Sequence, residues 1–360
     1  MKRIFAGMAA ALLAAVLLFP CRVNAVSAQS AIMIDGDSGR VLFEKNPDKQ
    51  SLIASTTKIM TGLVICEQCN VLDRMRIPKE AVGIEGSSMY LKEGEILTIQ
   101  ELLYGLMLQS GNDAAVALAI YCGGTVEGFV ELMNDKAKLL GLENTHFANP
   151  NGLDNPDHYS TARDLATLSA YAMNNPIFAK TVSTKQIKIG ERYLTNHNKL
   201  LWQVDGSEGI KTGYTKAAGR ILASSTRRDD RSVIVITINA PSDWQDHKTL
   251  IEKGFRDYTV QQLVCAGQSM GTVEILSGTV KEVELIAVCD FSYPMAENER
   301  FEIIVQGPGF AYAPIACDQE AGFAYVCIGD KTVGKIPLIY GSSVAEQKVN
   351  FWKKLWKGAA

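Results

Sequence analysis

The amino-acid sequence predicts an α+β protein: an antiparallel sheet flanked by helices with a helical subdomain, followed by a small all-β domain and an amphipathic C-terminal helix. Three observations carry that expectation. Short β-type runs at both ends of residues 29–258 enclose a helix-patterned middle, so strands and helices are segregated rather than alternating. Beyond about Val260, apolar and polar residues alternate between Gly and Pro punctuation. At the end of the chain, Val349, Trp352, Leu355 and Trp356 recur at helical spacing among lysines.

Met1-Lys2-Arg3 and the apolar run from Ile4 to Phe19 have the charged and hydrophobic regions of a secretory signal, and the run is short for a membrane-spanning helix. Two small-residue cleavage patterns follow, Val23-Asn24-Ala25 and Val26-Ser27-Ala28. The second is the expected one, so that residues 1–28 leave and Gln29 begins the mature chain. Residues 31–35 and 40–45 read as strands joined by the turn Gly36-Asp37-Ser38-Gly39. A helix begins near Ser55 and buries Ile59, Met60, Leu63 and Val64. The next opens on a capping box of Thr98 and Glu101, buries Leu102, Leu103, Leu106 and Met107, and is expected to stop at Gly111. Helical patterns continue over 114–122, 126–140 and 162–173, the last entered from Thr161 with Asp164 in capping register. Strands return at 210–214, 220–225 and 232–238, and a helix at 243–258. In the β-sandwich-like region 259–340 the expected strands are 271–276, 279–288, 300–305 and 324–328. Residues 341–360 form the tail, where Lys348, Lys353, Lys354 and Lys357 add a cationic surface that suits a membrane interface.

The formal net charge is −3, and loss of Lys2, Arg3 and Arg22 with the signal takes it to −6. Such a chain has no overall attraction to nucleic acid. The hydrophobic share of 47% is an ordinary globular value and allows a sizeable core. Of 8 cysteines, Cys21 leaves with the signal, and the odd number that remains cannot all pair within one chain. Cys66 and Cys69 have the spacing of a metal or redox pair, but they fall in an apolar helical stretch and no second ligand pair follows, so buried free thiols are expected.

Three short motifs carry the chemistry. In Ser55-Thr56-Thr57-Lys58, a hydroxyl and an amine three residues apart share one helix face. A serine alcohol needs a base, and a lysine amine can be that base once burial or another cation lowers its pKa. The positive end of the helix favours negative charge developing near Ser55. Ser110-Gly111-Asn112 lies at a helix end, where Ser110 is expected to join the proton network of Ser55 and Lys58 and Asn112 to hydrogen-bond the substrate amide. Lys211-Thr212-Gly213 lies on a strand whose edge can pair with an extended substrate. Gly213 permits close backbone approach, while Lys211 and Thr212 offer a cation and a hydroxyl to a terminal carboxylate.

In this order, on helix start, helix end and strand, the three motifs form one set. The chain resembles the low-molecular-mass penicillin-binding proteins, in particular the serine-type D-alanyl-D-alanine carboxypeptidases. The resemblance extends to Ile53-Ala54 before Ser55, Ile59-Met60-Thr61 after Lys58, Asp113-Ala114-Ala115, Asn149-Pro150-Asn151-Gly152-Leu153, and Gly209-Ile210 with Tyr214-Thr215 around Lys211. It covers residues 29–258 well and the β region loosely. It implies a β-lactamase/transpeptidase-like fold in which Ser55 attacks the bond between two terminal D-alanines of peptidoglycan stem peptides. An acyl-enzyme forms and water releases the trimmed peptide. It implies an oxyanion hole from the backbone N–H groups of Ser55 and Tyr214, each such donor contributing ~3 kcal/mol. β-Lactam antibiotics are the implied covalent inhibitors, the extracytoplasmic face of the membrane or the cell wall the implied location, and no metal or organic cofactor is needed.

A class A β-lactamase shares the first and third motifs but needs a glutamate-bearing loop, and the comparable interval here reads Asn149-Pro150-Asn151-Gly152-Leu153-Asp154. A Ser-His-Asp hydrolase needs a placed histidine, and His146, His158, His197 and His247 lie in no such context, so they are expected to be surface or core residues. A non-catalytic wall-binding scaffold would not need Ser55, Lys58, Ser110, Asn112 and Lys211 together. Endopeptidase action on cross-links uses the same chemistry and stays open.

Overall fold

The buried strands and the helical faces described above assemble in a computed structural model that describes residues 26–348. The chain divides into two units, Met1–Glu252 and Lys253–Ala360. In chain order the first contains β1 (Ser30–Asp35), β2 (Val41–Lys45), α1 (Lys58–Gln68), β3 (Arg74–Arg76), β4 (Ile96–Thr98), α2 (Ile99–Leu108), α3 (Asn112–Gly123), α4 (Val126–Leu139), α5 (Ala162–Met173) and α6 (Pro176–Ser183). The hairpin β5 (Gln186–Ile189) and β6 (Arg192–Thr195), a short α7 (Leu200–Gln203), β7 (Ser207–Thr215), β8 (Gly219–Arg228) and β9 (Arg231–Ile238) follow. Helix α8 (Asp243–Asp257) carries the division between the units.

The main sheet is antiparallel in the order β2-β1-β9-β8-β7. Every residue of β1 and β9 is buried, because both faces of these central strands are covered. One face, with Ile32, Ile34, Ile221, Ala223, Ile234 and Ile236, joins the core that also contains the inner sides of α1, α2 and α5. On the other face His247 of α8 hydrogen-bonds Ser224 and Thr237 at 2.7 and 3.0 Å, so the buried imidazole has both ring nitrogens engaged. Among the described residues β7 is an edge of the sheet, and no further strand pairs with its outer side.

Local chemistry sets the helix boundaries. Thr98 and Glu101 form a reciprocal capping box at the start of α2, and the Thr161 hydroxyl accepts from the backbone N–H of Asp164 at the start of α5. The stop after α2 differs from expectation: Ser110, at φ 59°, takes the left-handed conformation, whereas Gly111 has φ −59°. The turn is therefore bent at the serine itself. Val26, Ser27 and Ala28 are packed on the first unit: Ala28 is buried, and Ser27 binds the Asp246 carboxylate through its N–H and hydroxyl at 3.0 and 2.6 Å.

The second unit holds β10 (Tyr258–Val264), β11 (Ser269–Leu276), β12 (Glu282–Ala287), β13 (Phe291–Ala296), β14 (Glu302–Gln306), β15 (Phe310–Tyr312), β16 (Glu320–Ile328) and β17 (Lys331–Tyr340). β10 pairs with β13, and the other six form a sheet in the order β14-β16-β17-β12-β11-β15 around Val273, Leu285, Val326, Ile336 and Leu338. Strands β10, β13, β15 and β17 were not among those expected. In β17, Gly334 and Pro337 break the alternation that marks a strand, yet the pairing with β16 runs through both. The expected amphipathic C-terminal helix falls largely on residues 349–360, outside the described residues, as does most of the expected signal.

Candidate active site

Ser55 sits in a single 3-10 turn, Ala54–Thr57, that leads directly into α1, so Lys58 is the first residue of the helix proper. The turn is held from several sides. Thr56 Oγ1 donates to Ile53 O at 2.5 Å, and Thr57 Oγ1 donates to Ala54 O at 2.8 Å. His158 completes the brace: its Nδ1 accepts from Ala148 N–H at 3.1 Å, so its proton lies on Nε2, 2.7 Å from Thr57 Oγ1. Burial, then His146 and Lys58, push the His158 pKa down to about 4, which keeps the ring neutral.

Lys58 is fully buried, and its Nζ lies 3.1 Å from Ser55 Oγ, 2.7 Å from Asn112 Oδ1 and 2.5 Å from Asn151 O. As an ammonium it donates to all three. Burial first, and the charge of Lys211 second, hold its pKa well below the ordinary lysine value, against an opposing pull from Asp113. Once neutral, the amine keeps its two N–H bonds to Asn112 and Asn151, and its lone pair is left facing the Ser55 hydroxyl. That is the arrangement of a base beside a nucleophile.

The Asn149-Leu153 stretch explains itself here. Asn149 binds Gly152 N–H at 2.7 Å and Leu153 O at 3.0 Å, which braces the loop that presents the Asn151 carbonyl to Lys58. Gly152, at φ 88°, presses on the Ser55 turn so closely that a Cβ would lie 1.9 Å from Ala54 O.

Asn112 starts α3, and both ends of its side chain are engaged: Oδ1 accepts from Lys58, and Nδ2 donates to Glu85 O at 2.6 Å. Besides the expected contact to a substrate amide, for which Oδ1 keeps a second lone pair, the side chain fixes Lys58. The neighbouring Asp113 is buried and gathers the opposite wall. Its carboxylate accepts from the Ser88 hydroxyl and from the backbone N–H groups of Met89, Leu91 and Ala114 at 2.6–3.1 Å. Ser110 is buried, and its hydroxyl has no hydrogen-bond partner among the described residues, so the expected bond to Ser55 or Lys58 is not made.

Gly213 brings β7 against the Ser55 turn, where a Cβ would stand 3.2 Å from Ser55 N. Lys211 points inward with its cross-strand partner Ala223 and is 1% exposed. Its Nζ donates to Thr212 O at 3.0 Å, and burial lowers its pKa to about 7. Thr212 and Tyr214 project from the other side of β7 into a cleft of about 300 Å³ that also receives Ser55 and Ser110.

Sequence reasoning missed several lining residues. Ser87 and His197 reach the cleft from loops, and His197, exposed as a surface residue, lines it. Arg220 of β8 pairs with Tyr214 across the strands, binds both Asp243 oxygens at 2.9 Å, and lies over the Trp244 ring at 5.9 Å. Only the position of Arg220 one strand away from Lys211 could have signalled its place. Among the described residues no group of side chains could hold a metal ion.

Residues 19–242 match the family model Peptidase S11, D-alanyl-D-alanine carboxypeptidase, and residues 258–346 match the C-terminal domain of penicillin-binding protein 5. D-alanyl-D-alanine carboxypeptidase DacF of Bacillus subtilis is 35% identical over 271 residues, 72% of this chain and 70% of the relative. DacD of Escherichia coli is 32% identical over 341 residues, 89% of this chain and 88% of the relative. Penicillin-binding protein 5 of Haemophilus influenzae superposes with a TM-score of 0.77 at 29% identity, covering 89% of this chain and 98% of that one. With the S-x-x-K turn, the S-G-N corner and the K-T-G strand around one cleft, the chain belongs to the Peptidase S11 family of serine-type D-alanyl-D-alanine carboxypeptidases.

Proposed function

We propose that the protein removes the terminal D-alanine from peptidoglycan stem pentapeptides through an ester on Ser55. The observation that carries this reading is the buried Lys58 amine 3.1 Å from the Ser55 hydroxyl, with its pKa held well below that of a free lysine. Neutral Lys58 takes the hydroxyl proton as Ser55 attacks the penultimate carbonyl. The backbone N–H groups of Ser55 and Tyr214 receive the oxyanion. Thr212 and protonated Lys211 attract the substrate carboxylate, and the free edge of β7 pairs with the peptide backbone. Ser110, turned into the cleft with an unused hydroxyl, carries the proton to the departing D-alanine, and Asn112 positions Lys58. Water then attacks the ester with Lys58 again as base.

β-Lactams present the same carboxylate beside a strained amide and leave an ester on Ser55. The Asn149-Leu153 loop offers Lys58 a carbonyl where a β-lactamase would place a glutamate, so that ester persists. The test is intact mass and peptide mapping after penicillin treatment, with release of D-alanine from a defined pentapeptide measured in parallel. Wild type gains one adduct on Ser55 and releases D-alanine; Ser55→Ala does neither. An adduct mapped elsewhere, or D-alanine release by Ser55→Ala, refutes the mechanism.

Catalysis is assigned to the first unit, Met1–Glu252, whose described residues begin at Val26. The packing of Ser27 and Ala28 favours signal removal after Ala25 in place of Ala28, so that residues 26–28 stay with the fold. Export to the extracytoplasmic face, and attachment of residues 349–360 to the membrane surface, complete the proposal. Deleting 349–360 is expected to abolish binding to anionic vesicles with acylation unchanged; vesicle binding that survives the deletion removes the anchor from the scheme.

A further inference from the structure

Two thiols meet at the far end of the helices that serve the catalytic cleft. α1 starts at Lys58 and α3 at Asn112, where the 2.7 Å Lys58–Asn112 hydrogen bond joins them. Cys69 directly follows α1, and Cys122 is the next-to-last residue of α3. From Lys58 to Cys69 is 69 − 58 = 11 residues and from Asn112 to Cys122 is 122 − 112 = 10. At the helical rise these are spans of about 16 and about 15 Å, so the two cysteines lie about equally far along their helices from that bond. There the Tyr121 hydroxyl donates to Asp73 at 2.9 Å, which draws the end of α3 to the segment that follows α1, and the two thiols, both only partly buried, are near enough to shift each other's pKa. The neighbouring Cys66 is fully inside the core, while Cys317 and Cys327 bond to Asp318, Gly341 and Thr332.

We propose that Cys69 and Cys122 form a redox-modification site that closes into an intramolecular disulfide, fastening the C-terminal ends of α1 and α3 as the Lys58–Asn112 bond fastens their starts. The co-reactant is a low-molecular-mass disulfide, RSSR. The Cys69 thiol beside it lowers the pKa of Cys122, making it the attacking sulfur. Cys122, having lost its proton, attacks one sulfur of RSSR, the S–S bond breaks, and RS⁻ leaves and is protonated. Cys69 then gives up its proton and displaces the second RS⁻, which takes that proton. Two protein thiols lose two electrons and two protons, and RSSR becomes two RSH. An exported chain meets conditions in which such a bond persists. The bond encloses residues 69–122, and loop-closure entropy at that length shifts the folding equilibrium by about 10³-fold, a rise in Tm on the order of 10 °C.

The test treats the full chain with oxidised glutathione, blocks free thiols with iodoacetamide, maps the peptides, and compares Tm with and without dithiothreitol. Wild type is expected to yield a Cys69–Cys122 cross-linked peptide lighter by two hydrogens, and a Tm that falls on reduction. Cys66→Ala keeps both results, whereas Cys69→Ser and Cys122→Ser lose both. Glutathione adducts without a cross-link, a cross-link through Cys66, or a Tm indifferent to reduction each overturns the proposal. Mapping of the wild type decides the matter even where a serine variant fails to fold.

Discussion

Lys211 is a charge-bearing group placed where charge is expensive, so Lys211→Met should make the protein more stable and less active. Methionine keeps the length of the side chain and fits the inward site beside Ala223. Burial lowers the Lys211 pKa from 10.5 to about 7, and at 1.36 kcal/mol per unit that gap corresponds to about 5 kcal/mol of burial cost below pH 7. Loss of the bond to Thr212 O takes back ~1 kcal/mol, which leaves a gain of roughly 3–4 kcal/mol for the variant. The sign follows from linkage. Between the folded and unfolded pKa values the unfolded chain holds a proton that the folded chain lacks, so wild-type stability rises with pH across that window and the penalty disappears above 10.5. The advantage of the variant should therefore shrink by roughly 3 kcal/mol between about pH 6 and about pH 9. Urea denaturation at the two pH values measures it, and labelling by fluorescent penicillin should slow by roughly 10–100-fold through loss of the cation that attracts the carboxylate. A variant less stable than wild type, or an advantage that does not change with pH, would refute the reasoning.

Four further outcomes are expected. The kcat/KM of wild type on a pentapeptide should be bell-shaped, since it needs neutral Lys58 and protonated Lys211; the alkaline limb should lie at about 7 and be absent from Lys211→Met. Gly152→Ala should lower stability by about 2 kcal/mol or more and slow acylation, because its Cβ meets Ala54 O and its φ is positive; thermal melting and penicillin labelling report the two effects. Asp113→Ala strands the Met89 and Leu91 N–H groups and should lose about 2–4 kcal/mol, with proteolysis between Glu85 and Leu91 as the second readout. Thr98→Ala should lose ~1 kcal/mol with acylation unchanged, which separates a capping effect from a catalytic one in the same assays.

The nucleophile and base were legible because three-residue spacing on a helix fixes their relation before any tertiary contact forms. Capping boxes were legible for the same reason: the donors and acceptors are local. What could not be read was whatever depends on chains remote in sequence. The Asn151 carbonyl, Asn112 and Lys58 converge from three segments, and nothing local to Asn112 says that both ends of its amide are engaged. Arg220, His197 and Trp244 line the cleft through cross-strand register and loop path, neither of which leaves a periodic trace. At Ser110 the sequence favoured Gly111 as the left-handed residue, but the fold bends at the serine, with φ 59°. The short β5–β6 hairpin and β17 were missed because length and Gly or Pro content hide the period-two signal.

Asp113 gives the cleft an unusual economy of control. One residue earlier in the chain, Asn112 holds the base, while Asp113 itself holds the Ser88-Leu91 wall. A displacement of the start of α3 cannot alter one without moving the other. Changes in the 85–91 segment, which a drug designer would regard as outer contact surface, therefore reach the proton-accepting amine directly, so mutations in that wall should alter reactivity toward β-lactams as well as their fit.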